Sequence, residues 1–273
     1  MQYRQYGHTG TQVSVLGFGT GRFAVARRHF QEDLYVALLW RAFELGVIYV
    51  DTGDVYSFGR SEVAVGKAIC GCAHKIYVAT KLWYRGDSAA EARERLEHSL
   101  QRLGVNCIDF YHLHDLRWRY YRRQSGPGQP IDGLRQARDE GLIQHLCFSS
   151  HDTPRNIRKL IDRGHFAGML VQYNLLDRSN EVVIAHAYEQ GMGVAIMGPL
   201  GGGALAAPSQ RIVGMVAGAS TPEVALRFVL SNPNVTLALS GMTGMEMVQD
   251  NAAIASREEP LSAREQQQVL DSL

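Results

Sequence analysis

Cysteine is scarce: Cys70, Cys72, Cys107 and Cys147 are too few and too scattered to build a disulfide framework. Cys70-Gly-Cys72-Ala-His74 lacks the two-residue gap and second ligand pair of zinc modules, so no metal is expected. No run of about 18 apolar residues occurs, and nothing in the chain is expected to span a membrane. The opening MQYRQYGHTG has no apolar core of signal-peptide length. Excess charge is missing too. The chain has 28 Lys plus Arg against 27 Asp plus Glu, a balance that argues against nucleic acid or a membrane surface as partner. One local exception is Arg117 to Arg123 (RWRYYRR), where aromatics interleave with cations. A single such run on a neutral chain is expected to decorate a loop rather than bind RNA. Internal repeats, low-complexity tails and linkers are absent. A cytoplasmic protein with reduced thiols is the expectation.

What remains is an ordinary globular composition, 45% hydrophobic and 20% charged. At 273 residues the chain fits one α/β barrel, which typically needs about 250. Short β-branched runs alternate with helix-period segments to the end. Eight strands are expected, at Leu16–Thr20, Ile48–Asp51, Ile76–Thr80, Ile108–His112, Ile143–Ser149, Met169–Tyr173, Gly193–Met197 and Thr236–Ser240. Between them, Ser88-Ala-Ala-Glu91 reads as a capping box opening a helix whose stripe is Ala92, Leu96, Leu100 and Leu103, with Gly104 as the left-handed stop. Strand–helix alternation gives parallel sheets, because a parallel return needs a crossover. Eight units favour closure over an open doubly wound sheet. The expected fold is therefore an α/β (β/α)8 TIM barrel, one domain over residues 1–273. An N-terminal β-hairpin, Tyr3–Tyr6 and Gln12–Val15 around Gly7-His-Thr-Gly10, would plug its bottom.

In a parallel barrel the polar residues past the carboxyl ends of strands share one site. The second strand ends in Asp51-Thr-Gly-Asp-Val-Tyr56, the third in Ala79-Thr-Lys81, the fourth in His112-Leu-His114. An acid, a phenol, an ammonium and an imidazole thus converge. A carbonyl accepting hydride becomes an alkoxide and needs a proton. Tyr56, with an ordinary pKa of about 10, is a poor acid near neutrality. A neighbouring Lys81 is expected to lower that pKa, Asp51 to keep Lys81 charged and fixed, and a neutral His114 to orient the carbonyl oxygen. Each residue alone has a structural reading. The set is far more specific than its members.

These motifs, with Gly59-Arg-Ser-Glu62, Ile108-Asp-Phe-Tyr-His-Leu-His114, Gln172-Tyr-Asn174 and Met197-Gly-Pro-Leu-Gly-Gly202, resemble the aldo-keto reductase superfamily over nearly the whole chain. The resemblance implies a (β/α)8 barrel and an NAD(P)H-dependent oxidoreductase that reduces an aldehyde or ketone. Asp51, Tyr56, Lys81 and His114 would be its catalytic tetrad, with Tyr56 the proton donor. It implies NADP(H) more than NAD(H) as cofactor, and a monomer or weak oligomer. By the same resemblance Ser149, Ser150 and Gln172 would hold the nicotinamide amide, with Met197 where many relatives stack an aromatic. Gly19, Thr20, Pro199, Leu200, Gly201, Gly202, Gly241, Thr243, Met247, Asp250 and Asn251 would contact the rest of the dinucleotide. Residues 241–247 carry no Lys or Arg, where NADP-using relatives often place a clamp for the 2′-phosphate. Phe23, Trp83 and Tyr84 would wall the substrate pocket. The competing readings are a cofactor-binding regulatory or sensor protein with little turnover, and a barrel isomerase or lyase using Lys81 as a Schiff-base amine.

Overall fold

The computed structural model describes residues 1–23 and 30–273. Strands β1 (Tyr3–Gln5) and β2 (Gln12–Ser14) form an antiparallel hairpin, with Tyr3 opposite Ser14. Eight parallel strands follow: β3 (Leu16–Gly19), β4 (Tyr49–Asp51), β5 (Tyr77–Trp83), β6 (Ile108–His114), β7 (Ile143–Ser150), β8 (Gly168–Gln172), β9 (Gly193–Met197) and β10 (Leu237–Ser240). They close into a barrel in chain order, β10 pairing with both β9 and β3.

Around the barrel run α1 (Glu32–Glu44), α2 (Arg60–Cys70), α3 (Ala89–Leu103), the single turn α4 (Trp118–Tyr121), α5 (Pro130–Asp139), α6 (Pro154–Ile161), α7 (Glu181–Glu189), α8 (Thr221–Ser231), α9 (Met245–Ala255) and α10 (Ala263–Asp271). The last two follow β10. Among the described residues no helix is long and apolar enough to cross a membrane. Helix stripes and the outward strand residues make the larger core, and the barrel interior makes a second one.

That interior is filled from below. Tyr6 and Val13 of the hairpin pack with Tyr49, Ala79, Phe110, Cys147, Leu170, Ala195, Leu237 and Leu239. Tyr6 is wholly buried, its ring centroid 4.3 Å from that of Phe110. A Cβ on Gly193 would stand 2.1 Å from the Tyr6 ring, so glycine there makes room for the plug. The closed floor leaves the carboxyl ends of the strands as the accessible mouth.

Strand lengths differ from the sequence reading in one consequential way. β5 and β6 stay paired through Lys81↔His112, Leu82↔Leu113 and Trp83↔His114. His114 therefore sits on its strand rather than past it, and a ladder-held residue is placed more rigidly than a loop residue.

Candidate active site

Asp51 closes β4, and Lys81 lies within β5 on the inward side. Their exposures are 4% and 1%. Lys81 Nζ donates to Asp51 Oδ1 at 2.5 Å and to the Thr52 carbonyl oxygen at 2.6 Å. Burial alone would lower the Lys81 pKa, but Asp51 and Tyr56 outweigh it and hold the ammonium above its usual value. Burial also pushes the Asp51 carboxyl up, an effect that Lys81 partly offsets. Charges withdrawn from water to this degree need each other, and deleting one would strand the other.

Past β4 the chain turns sharply. Ser57 (φ 51°), Phe58 (φ 58°) and Gly59 (φ 82°) take left-handed conformations in succession, which side chains usually avoid. The turn places the Tyr56 ring with its centroid 4.8 Å from Lys81 Nζ. Asp54 anchors the loop through Arg95, which also pairs with Asp87 at 2.9 Å and donates to the Trp83 carbonyl at 2.8 Å. Beneath, Ser61 donates to Thr20 Oγ1 at 2.6 Å and lies 2.7 Å from Thr52 Oγ1, tying the first two barrel loops together.

His114 completes the cluster. Its ring stands edge-on to Tyr56 and to Trp83, with centroid separations of 5.7 and 4.9 Å. Its Nδ1 is buried without a partner. Burial, aided by the Lys81 charge, pushes its pKa down to about 3, so the imidazole is neutral near pH 7. The phenol behaves differently from the sequence expectation. Burial raises the Tyr56 pKa, and Lys81 pulls it down without reversing the sign. Desolvation of a would-be phenolate outweighs one nearby charge. Tyr56 accordingly keeps its proton near neutrality.

Two cavities flank this cluster. The first, about 590 Å³, is lined by Asp51 and Tyr56 together with Gly19, Met197, Pro199, Leu200, Gly202, Gly241, Thr243 and Met247 from the sequence-derived set. Its wall from Gly198 to Gly203 carries four glycines in left-handed conformations around Pro199 and Leu200, with Gly198 at φ 63° and Gly203 at φ 110°. Gly201 lies within that turn. Asp250 and Asn251 line an adjoining cavity that shares Leu200, Ala206 and Met247 with the first. Asn251 Nδ2 donates to Ser240 Oγ at 3.0 Å.

The other sequence-derived residues make these contacts within the fold. Thr20 Oγ1 donates to the Asp51 carbonyl at 3.0 Å. Ser149 Oγ accepts from the Asp115 amide at 2.9 Å, and Ser150 Oγ donates to the Leu116 carbonyl at 2.7 Å. Those bonds fasten the loop after β6 to β7. Gln172 Nε2 donates to Asp177 at 3.3 Å, outside the first cavity's lining. Phe23 is fully buried, stacked on Tyr35 at 4.0 Å, and lines neither cavity. The second of the two cavities flanking the cluster, distinct from the one that Asp250 and Asn251 line, is lined by Trp83, Tyr84 and His114.

Arg22 escaped the sequence reading. It lines the first cavity, donates from Nη2 to the Gly202 carbonyl at 2.7 Å, and is the lining's one basic side chain among the described residues. A Cβ on Gly241 would come within 2.6 Å of Arg22 Cγ, so glycine at 241 admits the arginine. The signal was its place, three residues past the end of the first barrel strand, on the face where barrel sites form. A glycine-walled cleft with a guanidinium at its edge is chemistry suited to a phosphate-bearing ligand.

Among relatives, an uncharacterized oxidoreductase, YqkF, of Bacillus subtilis is 26% identical, with 94% of this chain and 92% of that protein covered. The L-galactose dehydrogenase of Arabidopsis thaliana is 25% identical, covering 96% and 90%. The holo form of the aldo-keto reductase AKR11C1 from Bacillus halodurans superposes with a TM-score of 0.87 at 26% identity, covering 100% of this chain and 96% of that one. The Aldo/keto reductase family pattern matches residues 15–272. The chain belongs to the Aldo/keto reductase family, whose curated relatives here are oxidoreductases.

Proposed function

We propose that the protein reduces an aldehyde or ketone to an alcohol, using a nicotinamide dinucleotide held in the glycine-walled cleft, NADP(H) in preference to NAD(H). The observation that carries this is the buried Lys81–Asp51 pair at 2.5 Å beneath Tyr56, with neutral His114 beside it and the cleft opening directly onto Tyr56. The dinucleotide supplies the hydride when bound. Gly202, Gly241 and the neighbouring backbone would hold its phosphates, and Arg22 would meet their charge.

The protein's own residues then have defined tasks. His114 offers a ring N–H to the substrate oxygen and fixes its direction. Tyr56 carries the proton that this oxygen needs as it becomes a hydroxyl. Burial keeps that proton in place until an alkoxide, a far stronger base, arrives beside it. Lys81 stabilises the phenolate left behind, and Asp51 holds Lys81 in position. The closed barrel floor prevents water from approaching from below.

Tyr56→Phe tests the assignment. Turnover with NADPH and a simple aldehyde should fall by about 10²-fold, because only the proton donor is lost. Dinucleotide affinity, read by tryptophan quenching, should stay at the wild-type value. Unchanged turnover in the variant overturns the role of Tyr56. Failure of the wild-type protein to bind either NADPH or NADH overturns the reductase reading itself.

A further inference from the structure

We propose that the second cavity binds the anionic end of the substrate, so that the carbonyl compounds preferred are aldehydes or ketones bearing a carboxylate or a phosphate. This rests on the reductase reading for which atom reacts, but not for where the anion binds. The cavity, about 640 Å³, is within the size range of small-molecule sites and has His114 and Trp83 on its wall. It lies across the Tyr56–His114 pair from the glycine-walled cleft, which Tyr56 lines.

Its charge is one-sided. Arg85, Arg117, Arg119 and Arg123 line it, and among the described residues Asp115 is the single acid in the lining. Asp115 is already committed: Arg117 pairs with it at 3.0 Å, and its Oδ1 accepts from the His151 amide. Arg119 lies over the Tyr120 ring at 4.5 Å. Among the described residues neither Arg85 nor Arg123 has an ion-pair partner; the other salt bridges lie elsewhere. Tyr84 Oη donates to the Arg123 carbonyl at 3.3 Å, which fastens the loop after β5 to the loop after β6 and brings these two arginines to one hollow. On a chain whose net charge is only +1, this is a concentrated positive field beside the reacting atoms. Trp83, Tyr84 and Tyr120 add an aromatic wall to the same hollow. Arg85, Arg119 and Arg123 are exposed, and they share this lining with His114, the residue that orients the carbonyl.

Arg85→Ala/Arg123→Ala is the informative variant, since neither residue belongs to the tetrad or the dinucleotide cleft. With 4-carboxybenzaldehyde and the isosteric neutral 4-carbamoylbenzaldehyde, the wild type should favour the anion by about tenfold in kcat/KM, a difference of about 1.4 kcal/mol. That preference should shrink as salt rises from low to about 0.5 M. The double variant should lose the preference while keeping its rate on the neutral aldehyde, and Arg85→Lys/Arg123→Lys should recover part of it. Glyceraldehyde 3-phosphate against glyceraldehyde distinguishes phosphate from carboxylate as the favoured anion. Equal rates on charged and neutral members of both pairs overturn the proposal while leaving the reductase reading intact. Should no aldehyde turn over, calorimetric titration with 4-methylbenzoate and 4-methylbenzamide still decides it. Binding of the carboxylate alone, abolished in the double alanine variant, supports the anion site; equal binding or none overturns it.

Discussion

At the scale of single residues, the site depends on groups whose environments oppose their ordinary chemistry. Lys81 is a long cation at 1% exposure, tolerable only because Asp51 and the Thr52 carbonyl take its protons' hydrogen bonds. His114 is kept neutral and Tyr56 protonated by the same burial. Arg22 is the opposite case, a side chain facing solvent whose role follows from the carbonyl it reaches across the cleft. Arg22→Ala should weaken NADPH binding by about tenfold or more, because a charge-assisted contact contributes about 1.5–3 kcal/mol. Arg22→Lys should fall between, and the loss for NADH should be smaller if the arginine meets the 2′-phosphate. Fluorescence titration at fixed salt reads both. Equal affinity in wild type and Arg22→Ala would remove Arg22 from the phosphate site. The clustering of Asp51, Tyr56, Lys81 and His114 was legible because these residue types fall at or near the carboxyl ends of three consecutive strands. Arg22 was not, since a lone arginine after a strand looks like any surface charge.

At the scale of elements, local rules explain what was read well. Ser88 and Glu91 form both halves of the expected capping box, Glu91 N to Ser88 Oγ at 3.3 Å and Ser88 N to Glu91 Oε2 at 2.8 Å, and Gly104 closes α3 at φ 66°. Ser88→Ala should cost about 1 kcal/mol, seen as a lower urea midpoint with an unchanged slope. A midpoint equal to wild type would show the cap to be energetically idle. Where local rules were silent, pairing decided. β5 and β6 extend to Trp83 and His114 because each continues the other's ladder, and neither sequence alone carries that information. Met247, Asp250 and Asn251, read as dinucleotide contacts, lie on α9, while Ser262 and Glu265 cap α10 in the same manner as Ser88 and Glu91.

At the scale of the whole molecule, closure of the barrel buries groups that a single strand would leave wet. His112 lies inside, wholly buried. Burial, then the Lys81 charge, pushes its pKa down to about 3, while an unfolded chain would give about 6.5. Below about 6.5 the unfolded chain takes up a proton that the folded one refuses. Stability is therefore lost as pH falls from there towards 3, by about 1.4 kcal/mol per pH unit from this residue. His112→Leu should flatten the dependence of unfolding free energy on pH between about 6 and 4 by that amount. Urea titrations at several pH values measure it, and parallel slopes for the two proteins would show that His112 carries no linkage.

The sequence by itself determined the alternation of eight strands with helices, the plugging hairpin and the four residue types at the barrel mouth. Those depend on periodicity, caps and the fixed place of strand ends, which are local. Only the tertiary structure decided that Phe23 belongs to the core, that Ser149 and Ser150 fasten a loop, that Arg22 faces the cleft and that desolvation governs Tyr56. Burial and opposition across a cavity are properties of residues far apart in the chain, and no window of sequence contains them.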